Sequence, residues 1–376
     1  MIETFNVFAF VNLALFSAIQ ATRDIRYNAV ATSHSDSFAP LAVFEHGFAR
    51  NGQWRLAGTN HGAAFDGVDF DGWHLLLRTA KSDWGRCLQE GVHTMERYTE
   101  QSESDAITTY LLERRICQVR TAAGVDTLVA DSATYGRMLF LDGELQSAEA
   151  DEHIYHETLV HPAMSGVGAG ARVLVVGGGE GATVREVMRW RPAAVDWVDY
   201  DVDLVNLCRL HLRWSPGVWD NPAVTFYGAD IRDVLPTLGL YDVIVLDLPD
   251  PDGDTGYLYS TEFWRDMAAH LGPRGRMVTH CGPVRPFRGV GAGFQRVWDG
   301  TRDAGITLSP AGFYSIGIPS FQGDWGFWLW SADGHLFDAE GGLPVGLRVV
   351  DGEQMCRWGT PSLLWSEAVG STVLAR

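Results

Sequence analysis

Val173–Glu186, VLVVGGGEGATVRE, runs from an unbroken apolar stretch through clustered glycines into a segment with helical spacing. Four consecutive β-branched or leucine residues suit a strand buried on both faces, as in a parallel sheet. Gly177, Gly179 and Gly181 then let the chain turn tightly and let a ligand approach with no Cβ in the way. Such a turn carries weight only when acidic groups follow at the right distance. Asp199 in VDYD lies about twenty residues on, where a carboxylate can accept both hydroxyls of a ribose. Asp230 in YGADIRD closes a third strand-like run, where a carboxylate can accept the adenine amino group. Together these residues predict a nucleoside pocket at the carboxyl edge of a parallel sheet.

Working outward, ARVLVV, VREVMRW, AVDWVDY, DLVNLCRLHL, VTFYG, YDVIVLDL, EFWRDMAAHL and RMVTH alternate apolar runs with amphipathic ones. This alternation predicts an α/β fold, a doubly wound parallel sheet with crossover helices. Past Gly291 a helical piece precedes YSIGIP and WGFWLW, which would add antiparallel edge strands. Upstream, residues 106–165 read as short strands broken at Ala122–Gly124 and Asp142–Gly143, then as a helix, DEHIYHETLVHPAM, ending near Pro162. The expected organisation is an N-terminal extension over 1–105, a small antiparallel β domain over 106–165, and a catalytic domain over 166–376. The extension offers no motif from which a mechanism follows.

Glu180 inside the glycine turn distinguishes between nucleotides. A dinucleotide's pyrophosphate favours the positive end of the following helix, where a carboxylate would repel it. A sulfonium nucleoside bearing an amine suits that carboxylate better, although a first-turn acid can also serve the helix dipole alone. Further on, YDVIVLDLPDPDGDTGYLY places Asp247 and Asp250 just past an apolar strand. A primary amine has a pKa of about 10.4, so its neutral, nucleophilic form costs roughly 4 to 5 kcal/mol at pH 7. One carboxylate can take the proton while a second holds the amine. A turn rich in Asp, Pro and Gly for conformational reasons is the competing reading.

The balance of 29 basic against 47 acidic residues, a formal charge of −18, argues against a nucleic-acid partner. Cys87, Cys117, Cys208, Cys281 and Cys356 are odd in number and show no metal-ligand spacing, so a reducing, cytoplasmic setting and no metal are expected. His153, His156 and His161 lack the acidic or thiol company a metal would need. FNVFAFVNLALFSAIQA (residues 5–21) contains Asn6 and Asn12 and follows Glu3, which favours a buried strand or helix over a leader or a membrane span.

YGRMLFLDGELQSAEADEHIYHE, VLVVGGGEGATVREV, VDYD, GADIRDVL and DLPDP followed by LYSTEFW together resemble the spermidine synthase family of polyamine aminopropyltransferases. IPSFQGDWGFWL is similar to the family's segment at the acceptor end. The resemblance covers roughly residues 115–335. It implies a small N-terminal β domain before a Rossmann-like, class I methyltransferase-type catalytic domain, decarboxylated S-adenosylmethionine as donor, a putrescine-like diamine as acceptor, and a homodimer or homotetramer joined through the β domain. By position, Asp247 would assist amine deprotonation with Asp250 as its partner. Glu180 would hold the donor's propylamine, Asp199 its ribose and Asp230 its adenine. Gln146 and Tyr155 would border donor and acceptor, with His156, His280, Tyr314 and Trp325 toward the acceptor. Glu180 and Ala182 replace the Asp and last Gly of GGGDGG, and His280 stands where Gln is common. These departures leave open a methyltransferase or specialised-metabolite enzyme using intact S-adenosylmethionine, or a polyamine-binding protein without catalysis.

Overall fold

The computed structural model describes residues 95–100, 107–251, 256–284, 291–306, 309–337 and 342–359, and short strands between residues 29 and 64. Compact packing divides the chain into Met1–His93 and Thr94–Arg376. In the first unit, Ala29–Ala31 pairs with Ala42–Phe44, His46–Arg50 with Gln53–Ala57, and Thr59–Asn60 with Ala63–Ala64, all antiparallel. The apolar stretch at residues 5–21 lies outside the described residues. Among those described, no helix is long and apolar enough to cross a membrane.

The second unit opens with a five-stranded antiparallel sheet of β1 (Glu96–Thr99), β2 (Thr109–Arg120), β3 (Asp126–Ser132), β4 (Gly136–Leu141) and β5 (Glu144–Ala148), paired in chain order. β1 moves the start of this layer upstream of residue 106, because it pairs with β2 from Thr99↔Thr109 to Glu96↔Leu112. Asp142 and Gly143 both take positive φ, 49° and 93°, the two-residue turn that matches strand twist. One face of this sheet buries Tyr110, Leu112, Leu128, Met138 and Phe140 with Phe321. The other packs Val129 and Leu139 on Leu204, Cys208 and Leu212.

The large sheet comprises β6 (Arg172–Gly177), β7 (Ala194–Val198), β8 (Val224–Tyr227), β9 (Tyr241–Asp247), β10 (Leu271–Val284), β11 (Phe313–Ile318) and β12 (Gly323–Ser331). Its order is β8-β7-β6-β9-β10-β12-β11, with β6 to β10 parallel and the last two strands antiparallel. Leu174, Val176, Ile244 and Leu246 face one layer, with α4 (Ile231–Val234), α5 (Thr261–Ala269) and α6 (Gly291–Asp303). Val173, Val175, Val243 and Val245 face the other, with α1 (Glu152–Ser165), α2 (Ala182–Met188), α3 (Val202–His211) and α7 (Gly352–Gly359). Period-two alternation on a strand with no polar face produces these two layers.

α1 departs from the expectation that it stops near Pro162, since it continues to Ser165. Proline has no N–H to give the carbonyl four residues back, which is that of Thr158. Tyr314 supplies the missing donor, its hydroxyl 3.0 Å from Thr158 O. The hydroxyl of Tyr314, a residue expected at the acceptor end, is thus taken up by α1. Buried to 3% exposure, it mends a helix. Glu157, also on α1, accepts from the backbone N–H groups of Arg348, Val349 and Val350 and so seats the segment that leads into α7.

Candidate active site

Three strand ends of the large sheet converge where β6 turns into α2. Gly177 pairs with Asp247 in the β6–β9 register, and Gly178 N donates to Asp247 O at 2.8 Å. Gly177 has φ +81°, and a Cβ there would lie 2.0 Å from Asp247 O, so only glycine fits. Gly178 and Gly181 are also left-handed, while Gly179 instead lies against Asp199 and Leu204. Trp197 Nε1 donates to Gly177 O at 2.8 Å and pins the turn from β7.

Asp247, the last residue of β9, is held at both oxygens. Tyr155 of α1 donates to Oδ1 at 2.8 Å, and Thr183 of α2 donates to Oδ2 at 2.5 Å. Burial, followed by the Asp247 charge, raises the Tyr155 hydroxyl well above its ordinary range, so Tyr155 remains a donor. Asp250 lies three residues on, with His280 Nδ1 3.8 Å from its Oδ1. His280 is buried, with Nε2 2.7 Å from Leu248 O and the ring stacked on Trp325. Tyr155 lies against both His280 and Phe327, with ring centroids 5.9 and 5.4 Å away, so it stands between Asp247 and the Asp250–His280 pair. Trp325 also touches Phe321, which joins this group to the small sheet.

On the glycine side, Asp199 is buried and its Oδ1 accepts from Asp201 N at 2.9 Å. Burial pushes it up to about 7, the hydrogen bond from Asp201 opposes that, and the charges of Asp201 and Asp247 add to it. Asp230 is more open. It caps α4 through Arg232 N and pairs with the Arg232 guanidinium, whose hydrogen bond holds it below the usual carboxylate range.

Glu180 accepts from Ser147 Oγ of β5 and lies 2.6 Å from His156 Nε2. His156 Nδ1 lies 2.9 Å from Glu152, so both ring nitrogens face carboxylates and both carry protons. Burial disfavours that charge, yet Glu180 and Glu152 outweigh it and raise His156 to about 10. The expectation that His156 contacts substrate thus changes, because it is the buried counterion of Glu180. Glu152 continues the chain of charges through both terminal guanidinium nitrogens of Arg185, whose Nε reaches Glu186. Trp190 donates to His161 Nδ1 at 2.9 Å, which leaves the Nε2 proton directed at Glu186, 3.0 Å away. The ladder ties α1 to α2 beneath the glycine turn. No group of three or more metal-ligating side chains occurs among the described residues.

Several of these contacts have no counterpart in the sequence reading. Ser147, rather than its neighbour Gln146, touches Glu180, because alternate residues of β5 face opposite ways. Gln146 is half-buried, with a 3.5 Å contact to Glu144 O. Thr183 lay unremarked inside the opening stretch, and the Glu152–Arg185 bridge joins segments 33 residues apart.

A family model described as "Spermine/spermidine synthase domain" matches residues 152–284. A polyamine aminopropyltransferase of a Synechococcus strain is 38% identical over 228 residues, covering 58% of this chain and 72% of that protein. Polyamine aminopropyltransferase 2 of Pseudomonas aeruginosa is 36% identical over 252 residues, 61% of this chain and 66% of its own length. Among solved structures, spermidine synthase from Thermotoga maritima superposes with a TM-score of 0.64 at 18% identity, over 74% of this chain and 95% of that one. A spermidine synthase in complex with the transition-state analogue AdoDATO gives 0.65 at 20% identity, over 74% and 96%. These two likenesses show the fold.

Proposed function

The chain belongs to the polyamine aminopropyltransferase family and is an enzyme of aminopropyl transfer, and on that premise we propose decarboxylated S-adenosylmethionine as its donor and a putrescine-like diamine as its acceptor. The carrying observation is the doubly held Asp247 between the glycine turn and the Asp250–His280 pair. In this reading Glu180 faces the donor's ammonium, Asp199 its ribose and Asp230 its adenine. Asp247 and Asp250 receive the amine.

The acceptor nitrogen gives its proton to Asp247 and attacks the aminopropyl methylene next to sulfur. As the C–N bond forms, the C–S bond breaks and its electron pair returns to sulfur, leaving neutral methylthioadenosine. The sulfonium is already a good leaving group, so alignment and electrostatics supply most of the acceleration. Glu180, Asp199, Asp247 and Asp250 form an acidic surround suited to a doubly cationic donor. Two cations of this region, the buried His156 and the partly buried Arg185, are already paired with carboxylates. An intact methionine carboxylate would meet that acidic surround without compensation.

Calorimetry with the two donors is expected to show the decarboxylated one binding at least about tenfold more tightly, about 1.4 kcal/mol. Tighter binding of the carboxylated donor would redirect the assignment to methyl transfer. Methylthioadenosine release on adding a diamine separates aminopropyl transfer both from methyl transfer, which would leave S-adenosylhomocysteine instead, and from binding without catalysis.

Asp199 sets a pH signature. Its pKa near 7 means that the carboxylate protonates as pH falls through neutrality and loses acceptor capacity toward the ribose. Donor affinity is expected to weaken up to about tenfold per pH unit below 7. Asp199→Asn should remove that slope. An unchanged slope in the Asn variant would place the titrating group elsewhere.

A further inference from the structure

We propose that Thr183 is a positioning residue: its hydroxyl fixes the Asp247 carboxylate so that Oδ1, the oxygen shared with Tyr155, takes the proton from the acceptor amine. This rests on the reading of Asp247 as the group that receives the amine.

Thr183 sits in the first turn of α2, fully buried, two residues after the Gly181 N-cap. A helical threonine hydroxyl ordinarily turns back to a carbonyl one turn earlier. Here the preceding turn is the glycine loop, and the hydroxyl crosses to β9 and donates to Asp247 Oδ2 at 2.5 Å. Threonine suits the task because two heavy atoms on Cβ restrict χ1. Its methyl is held by packing while its oxygen points at one partner.

The two carboxylate oxygens thereby become unequal. Oδ2 is enclosed by Thr183 and by the backbone of Gly178, where a Cβ would come within 2.7 Å of it. Oδ1 faces Tyr155, whose ring lies against His280 beside Asp250. An amine arriving along the Asp250–His280 side meets Oδ1 first. Each carboxylate oxygen offers two lone pairs, so Oδ1 keeps one for the ammonium after accepting from Tyr155. Without the Thr183 bond the carboxylate turns about its Cβ–Cγ axis, and Tyr155 alone does not define its plane. The N–H bond of the ammonium then breaks toward a less defined acceptor while the C–N bond forms.

The test uses Thr183→Val and Thr183→Ser in the full chain, following methylthioadenosine release at saturating donor and diamine. Val is expected to lower kcat at least about tenfold, the scale of one lost hydrogen bond to a charged group. Donor KM should stay within about twofold, and Ser should restore kcat to within about threefold, since it keeps the hydroxyl. In an Asp247→Asn background, Val should cost nothing further, because coupled groups are not additive. Should the Val variant not fold, Ala against Ser carries the same comparison. Unchanged kcat in Val, a Ser variant as slow as Val, or full additivity with Asp247→Asn overturns the proposal. If Asp247→Asn itself turns over normally, the underlying reading fails. If only the Thr183 variants do, this inference alone fails.

Discussion

Asp247→Asn is expected to slow methylthioadenosine release at least about a hundredfold while donor affinity stays within a few-fold of the parent, the range in which a removed general base is usually felt. The side chain keeps its shape, and an amide oxygen can still accept from Tyr155 or Thr183. What disappears is the charge that orients the ammonium and the oxygen that takes its proton. At pH 7 the neutral amine lies roughly 4 to 5 kcal/mol above its ammonium form. A variant that no longer couples deprotonation to attack faces that cost without assistance. The sheet edge is unaltered, since Gly178 bonds the Asp247 backbone carbonyl and the β6–β9 pairing is made by main chain. Turnover close to that of the parent would remove Asp247 from the role of base.

Glu152→Gln is expected to cost on the order of 3–5 kcal/mol of stability, because it takes the shared partner away from the buried His156 and the partly buried Arg185. Glu152 lies 2.9 Å from His156 and takes two bonds from Arg185, at 3.0 and 2.9 Å, with its side chain 2% exposed. In thermal unfolding this corresponds to a midpoint lowered by roughly 10 °C. The pH dependence follows from the two shifts. Burial disfavours the charge on Glu152, yet His156 and Arg185 outweigh it and hold the group down at about 2. Its contribution is full above the unfolded value of about 4.5 and is lost as pH falls toward 2. His156 is raised to about 10, so its contribution is full below about 6.5 and is lost as pH rises through 10. The parent should therefore be most resistant near pH 4.5–6.5 as far as this ladder is concerned, and the Gln variant should show a shallower acid-side decline, because Glu186, also held down at about 2, keeps its share. A midpoint shift under about 2 °C would show that the ladder relaxes without loss, as some buried ion pairs do when replaced.

The large sheet was legible because its signals are local. Arg172–Gly177 and Tyr241–Asp247 are short apolar runs bounded by turn residues, and runs of that kind form strands wherever both faces are covered. The acidic groups at the strand ends followed, since the end of a strand is visible where the apolar run stops. α1 was less legible. Pro162 is a sound stop signal from its own chemistry, and it is the Tyr314 hydroxyl, 156 residues from the Thr158 carbonyl it caps, that replaces the missing donor. His156 likewise looked available for a ligand until Glu152 and Glu180 were found at its two nitrogens.

From the sequence alone came the doubly wound arrangement, the glycine turn, and the placement of Asp199, Asp230 and Asp247 at strand ends, all consequences of periodicity within a few residues, whereas the strand order came from the structure. The tertiary structure alone decided which groups hold Asp247. Tyr155 reaches it across 92 residues and Thr183 across 64. Hydroxyl and carboxylate side chains carry no periodicity, and their bonds form between whichever elements the packing of two layers brings within 3 Å. Glu180 shows both kinds of information. Its position in the turn was plain from VLVVGGGEGATVRE, whereas its pairing with Ser147 and His156 exists only because β5 and α1 close over that turn.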